Sequence, residues 1–303
     1  MIPSLFILGA PKCGTSALYE YLAGHPGLFL PDNKEPHYHA SDFYVRDTGL
    51  LRRMADRERY LSLFAEARPD QIAGEGSTWY LASEAAVPSI LADASDARFI
   101  VMLRAPWVMA RSLHAHHVRK LYDDVEDFET AWSLSKTRAA GDRLPKHCPD
   151  PKMLDYPAAC TFAPKLERLF AQVPRDRALV LIYEEVFADP RAGYLRVLDF
   201  LGLPDDGRTD FARVNPNREL RSKWLYALTT YRPWPLRAVW PLAKRIANGL
   251  GLRPGQALFE ANQKITTRTP TKPETDTMLR DAFAADVTAT EAILGRRIEM
   301  WAP

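Results

Sequence analysis

Two uninterrupted apolar runs, "RFIVMLR" (Arg98–Arg104) and "ALVLIYEE" (Ala178–Glu185), constrain this chain more than any other feature. Neither alternates apolar with polar residues, so neither suits a sheet with one wet face; strands covered on both sides read this way. Two shorter runs stand at Leu5–Leu8 and at Ile72–Ala73, the latter leading into "GEGS". Helical spacing fills the gaps, over Thr15–Ala23, Arg57–Glu66, Pro106–Lys120, Ala163–Ala171 and Pro190–Leu201. Strands alternating with helices predict a parallel, doubly wound α/β sheet. Groups that do chemistry in such a sheet gather at the carboxyl ends of its strands. The 303 residues, 47% of them apolar, suffice for one large domain of this kind or two smaller ones.

Composition excludes several classes. A net charge of +2 gives no global attraction for nucleic acid, so any anion site must be local. Three cysteines (Cys13, Cys148, Cys160) form an odd set without metal-site spacing, and beside 24 prolines they make no disulfide scaffold. A reducing compartment fits best. The first apolar run lacks a basic segment before it and ends at Gly9, which reads as a strand, not a signal peptide. No run reaches the length of a membrane span, and the expected location is cytoplasmic. From Asn215 to Gly255 the character changes: eight Arg and Lys stand against one acid, Glu219, among many Trp and Tyr, with prolines 233, 235 and 241 as breaks. The following "TPTKPETDTMLRDAFAADVTATEAIL" carries a start signal for a closing helix.

The sharpest local motif is "GAPKCGTS", between the first run and the first helix. A glycine turn ahead of a helix presents backbone N–H groups and partial positive charge, which favours an anion. The hydroxyls of Thr15 and Ser16 add donors. A nucleotide triphosphatase would read G-x-x-x-x-G-K-[ST]. Here Thr15 follows Gly14 directly, and the lysine is Lys12, inside the loop. The plainer alternative is a tight strand–helix turn with a solvated lysine, and the loop alone does not separate the two. Magnesium use calls for an acid at the end of a neighbouring strand, whereas "RFIVMLR" ends in Arg104. A cation there points to a second anion held by protein charge alone. Ser112, eight residues on, is spaced to share it.

Together the loop, the Arg104…Ser112 pair and "NKEPHYH" resemble the sulfotransferases that use 3′-phosphoadenosine 5′-phosphosulfate (PAPS), above all the carbohydrate, heparan-sulfate-type branch and its bacterial relatives. The likeness extends to "LVLIYEEVFADP" and "AILGRRIEMW" and fades between about Thr209 and Pro270. It implies a single domain over residues 1–303 with a fold related to nucleotide kinases, the basic stretch at 215–260 being a lid or insertion. It implies PAPS as co-substrate with no metal required. Lys12, Cys13, Gly14, Thr15, Ser16 and Ala17 then take 5′-phosphosulfate positions, and Arg104 and Ser112 take 3′-phosphate positions. Lys12 would offset charge growing on the leaving 5′-phosphate. The glutamate that removes the acceptor proton in this branch aligns with Glu35. His37 is the second candidate base, since other branches use histidine. Arg218, Arg221 and Ser222 are weaker candidates for covering the 3′-phosphate. The implied acceptor is a hydroxyl or amine of a sugar, glycolipid or small metabolite.

One departure stands out. Heparan-sulfate enzymes end the third strand in Glu-Lys-Thr-Pro; this chain reads Glu75-Gly76-Ser77-Thr78. Either Lys34 supplies the second positive charge or Lys12 acts alone, and a heparan acceptor is placed in doubt. Glu75 either orients its neighbours or forms a structural ion pair. His114, His116 and His117 are not spaced to converge on a metal; His116, one turn beyond Ser112, is a candidate acceptor contact. Cys13 lies where a thiol pKa can fall, but no arginine ends the loop as in phosphatases, and it reads as a small filler. The basic aromatic stretch at 215–255 is first a lid, then a peripheral membrane contact or a packed helix pair. A P-loop kinase and a non-catalytic nucleotide- or lipid-binding protein are the alternative functions.

Overall fold

The computed structural model describes residues 1–44, 46, 53–211, 218–220, 222–231, 262–265 and 272–302. The apolar runs become strands β1 (Leu5–Gly9), β3 (Ile72–Gly76), β4 (Arg98–Leu103) and β5 (Ala178–Ile182), joined by a short β2 (Leu28–Phe29). All pair in parallel, in the order β2-β3-β1-β4-β5. In β4 every side chain from Phe99 to Leu103 is completely buried, which explains the absence of alternation. Each such side chain contributes about 1.5–3 kcal/mol by leaving water.

Helices cover both faces. In chain order they are α1 (Thr15–Ala23), α2 (Arg57–Ser62), α3 (Ala86–Asp93), α4 (Pro106–Lys120), α5 (Phe128–Ser133), α6 (Ser135–Ala139), α7 (Tyr156–Cys160), α8 (Ala163–Phe170), α9 (Tyr183–Ala188) and α10 (Pro190–Leu201). Beyond them, β6 (Arg218–Leu220) pairs antiparallel with β7 (Gln263–Ile265), and α11 (Lys223–Tyr231) and α12 (Pro273–Leu294) follow. The closing helix is tied to the body by Asp286, whose carboxylate accepts from the N–H groups of Phe162 and Ala163, each at 2.8 Å, and so caps α8.

Several expected boundaries shift, three of them with consequences. The run Ala178–Glu185 is strand only to Ile182, then helical. Glu184 and Glu185 lie in the first turn of α9, where the macrodipole favours acids. The run Arg98–Arg104 ends one residue early, which releases Arg104 from the ladder. The segment Arg57–Glu66 is α-helical only to Ser62; beyond it Phe64 and Ala65 bond three residues back, a tightened terminal geometry.

The topology fixes where chemistry can sit. From β1 the chain moves to β2 and β3 on one side, then crosses to β4 and β5 on the other. The order reverses at the β1/β4 boundary, and a crevice opens there beyond the carboxyl ends.

Candidate active site

The loop after β1 meets the requirements of an anion cradle. Gly14 sits in the left-handed region at φ 83 and heads α1 with no side-chain cap and no acid in the first turn. The first N–H groups of the helix are thus left to an anion or to water. A Cβ at Gly14 would lie 2.5 Å from Phe187 and 2.8 Å from Tyr183, so only glycine lets α9 close on the loop. Lys12 also takes a left-handed backbone, at φ 65, at a cost of about 1–3 kcal/mol that surrounding structure must impose. Glu35 and His37 do the same, at φ 61 and φ 51. Residues held this way gather at ligand clamps, and three sequence candidates share the trait.

Arg104 leaves the tip of β4 and lies over the Tyr183 ring, 4.1 Å from its centroid. One guanidinium N–H reaches the Lys12 carbonyl at 3.4 Å. Its Nε is buried without a hydrogen bond, the nearest carboxylate oxygen, on Glu184, being 3.9 Å away. A buried guanidinium with an unmet N–H is suited to a bound anion. Ser112 is buried on α4 and lines the same cleft. Beside it Tyr21, Tyr183, Phe187 and Phe211 form an aromatic group, with Tyr183 and Phe187 centroids 4.5 Å apart and Tyr21 and Phe211 5.0 Å apart.

Glu35 comes to the cleft from the opposite side, on the segment after β2. Its N–H donates to the Gly76 carbonyl at 3.2 Å, and the N–H of His37 donates to Ser77 Oγ at 3.1 Å. Ser77 in turn donates to Glu75 Oε2 at 2.8 Å, while Tyr80 and Tyr60 donate to Oε1 at 2.8 and 3.0 Å. Glu75 is therefore a hydroxyl-bound anchor that orients its neighbours, not half of an ion pair. Burial pushes its carboxyl up to about 7 despite those three donors.

The Glu35 carboxylate lies 3.5 Å from His37 Nε2 and 3.8 Å from the Lys34 ammonium, and 37% of its side chain is open. Burial alone would raise its pKa. The hydrogen bond and charge of His37, the Lys34 charge and a Thr78 hydrogen bond outweigh it, leaving the group below the usual carboxylate range. His37 Nε2 also meets the Tyr44 hydroxyl at 2.8 Å. Lys34 donates to Ser16 Oγ at 2.8 Å, so it joins the segment after β2 to the first turn of α1. Its ammonium lies 5.5 Å from the centroid of Tyr19. The Tyr19 ring also occupies the space at Gly76, where a Cβ would approach it to 3.2 Å. Burial lowers the Lys34 pKa, with Glu35 and Glu20 opposing.

One cleft of about 1060 Å³ brings together Lys12, Gly14, Thr15, Ser16, Ala17, Glu35, His37, Arg104, Ser112 and His116. Cys13 does not join them by its side chain: the thiol is completely buried, 3.6 Å from Met109 Sδ, and burial raises its pKa. His114 turns away to the Val125 carbonyl at 2.8 Å. Among the described residues no group of three or more His, Cys, Asp or Glu is placed to hold a metal ion. Arg221, the Arg218 side chain and most of the 215–260 stretch lie outside the described residues. Ser222 is bound through its backbone to Asn262. Sequence reasoning weighed His117 only against a metal site and missed Lys120, Tyr122 and Tyr44; all four line the cleft. The three- and four-residue steps among Leu113, His116, His117 and Lys120 were the available signal for the α4 members.

A model of the sulfotransferase family matches residues 3–207. The chain belongs to the sulfotransferase family. Heparan sulfate glucosamine 3-O-sulfotransferase 3B1 of Homo sapiens is 28% identical over 206 residues, covering 67% of this chain and 46% of that protein. Heparan sulfate glucosamine 3-O-sulfotransferase 3A1 of Homo sapiens is also 28% identical, over 67% of this chain and 45% of its own length. The chain thus spans about half the length of these curated relatives. A solved sulfotransferase from Alicyclobacillus acidocaldarius shares the fold, with a TM-score of 0.73, 24% identity, and coverage of 99% of this chain and 98% of that one. The family relationship read from the glycine loop and the Arg104…Ser112 pair is thereby established, and so is the sulfotransferase α/β fold.

Proposed function

We propose that this sulfotransferase moves the sulfuryl group of PAPS to a hydroxyl or amine of a sugar, glycolipid or small metabolite. One observation carries the reading: the Lys34 ammonium stands between Ser16 of the phosphate loop and the Glu35 carboxylate. Base and anion cradle therefore face one another across a single reacting space. The donor fits the donor half: the uncapped start of α1 and Lys12 suit the 5′ end, Arg104 and Ser112 suit the 3′-phosphate, and the aromatic group suits adenine.

PAPS, when bound, brings a sulfuryl group whose departure leaves negative charge on the 5′-phosphate. Lys12 and the N–H groups of α1 neutralise that charge as it develops. Glu35, whose charged form His37 and Lys34 favour, accepts the proton of the attacking hydroxyl. His37, held by Tyr44 and by Ser77, orients that carboxylate. Lys34 provides the second positive charge in place of a strand lysine at Gly76. Tyr226 and Tyr231 of α11 line the cleft, which supports a covering role for that segment. Labelled-sulfate transfer tests the function directly. Adenosine 3′,5′-bisphosphate should bind tightly without magnesium; preference for magnesium-ATP would overturn the reading.

A further inference from the structure

Beyond the donor half, the cleft holds a cation for which the described chain supplies no partner. Lys120 ends α4, about 12 Å along the helix axis from Ser112. Its ammonium lines the cleft with no hydrogen bond or ion pair among the described residues, although its carbonyl accepts from the Tyr231 hydroxyl at 2.6 Å. A lysine in a last helical turn ordinarily offsets the carbonyl ends from open water. Here burial lowers its pKa, Arg119 repels it, and Glu35 favours its charge from across the cleft. Next to it His117 is completely buried, with neither ring nitrogen hydrogen-bonded. It stacks on Trp79 with centroids 6.4 Å apart. Buried polar atoms seldom stay unmatched, and these line the same space.

Among the described residues the rest of this wall is mainly aromatic or apolar, with Tyr44, Trp79, Tyr122, Met153, Tyr226 and Tyr231. Such walls take the flat apolar faces of rings. Glu35 is the one acid among the described lining residues. A long polyanion needs a row of cations, and among the described residues this wall offers one, Lys120. One ammonium balances one charge, which suits a carboxylate better than a dianionic phosphate.

Resting on the transferase reading above, we infer that the acceptor is a compact, ring-bearing molecule with a single carboxylate, and that Lys120 selects it. The probes are 4-nitrophenyl β-D-glucoside and 4-nitrophenyl β-D-glucuronide, which differ by that carboxylate. Each is titrated calorimetrically into the full chain saturated with adenosine 3′,5′-bisphosphate. The glucuronide should bind roughly tenfold or more tightly, the range of one charge-assisted hydrogen bond. Lys120→Met should remove the gap by weakening the glucuronide alone, and Lys120→Arg should keep most of it. Equal affinities, no glucuronide binding, or a gap that survives in Lys120→Met would overturn the inference. The bisphosphate titration is read separately: if it too fails in the unmodified chain, the transferase reading is at fault.

Discussion

On the side of the cleft proposed for the donor the backbone would do the holding, through a left-handed Gly14, an uncapped helix start and strand tips set by the ladder. On the acceptor side the holding falls to side chains: Glu35 and His37 are positioned by a relay through Ser77 to the buried Glu75, and the walls are rings. The difference matches what each side must bind. Phosphate and phosphosulfate charges are met by N–H groups, whose placement follows from any strand–turn–helix of this shape. An acceptor differs from one enzyme to another, and side chains can change without disturbing the sheet.

The contrast can be broken by exchanging expected phenotypes. Glu35→Gln should lower kcat by about 10²–10⁴-fold and leave bisphosphate affinity unchanged; a parallel loss of nucleotide binding would erase the division. Lys12→Ala should lower kcat by about 10²–10³-fold, and near-native turnover would remove it from the donor machinery. Arg104→Ala should weaken the 3′,5′-bisphosphate about 10–100-fold while sparing adenosine 5′-monophosphate, a comparison readable by calorimetry. The smallest effect concerns the anchor. Glu75 is raised from the ordinary 4.5 to about 7, so the folded state keeps its proton longer than the unfolded one. Its contribution to stability is full below 4.5 and declines as pH climbs towards 7. Glu75→Gln should flatten the melting temperature over that interval, measured against the unmodified chain; an unchanged slope would show that another group is responsible.

Some of this was legible from residues alone. Helices Thr15–Ala23, Pro106–Lys120 and Pro190–Leu201 match the sequence reading to the residue. Gly14, Pro106 and Pro190 punctuate their starts, and Gly24 and Gly202 two of their ends. The short helices α5 and α7 escaped, although Asp127 and Asp155 cap them, because five or six residues show no full period. The loop after β1 and Arg104 were readable because each is placed by a single strand end. The acceptor wall was not: Tyr44, Trp79, Tyr122 and Tyr231 meet only after four separate segments have packed. Lys34 lies between these cases. Its place in the sequence was visible, but its hydrogen bond to Ser16 depends on how the segment after β2 crosses the loop.

The sheet order also governs when the donor cradle can exist during synthesis. Leu5 pairs with Gly74 and Arg98, far along the chain. At about 5–20 residues per second, β1 and the glycine turn wait on the order of several seconds for the neighbours that bury them. Through that interval an apolar segment stands unsheltered beside the ribosome. Chaperone demand should accordingly fall between the emergence of β1 and that of β4.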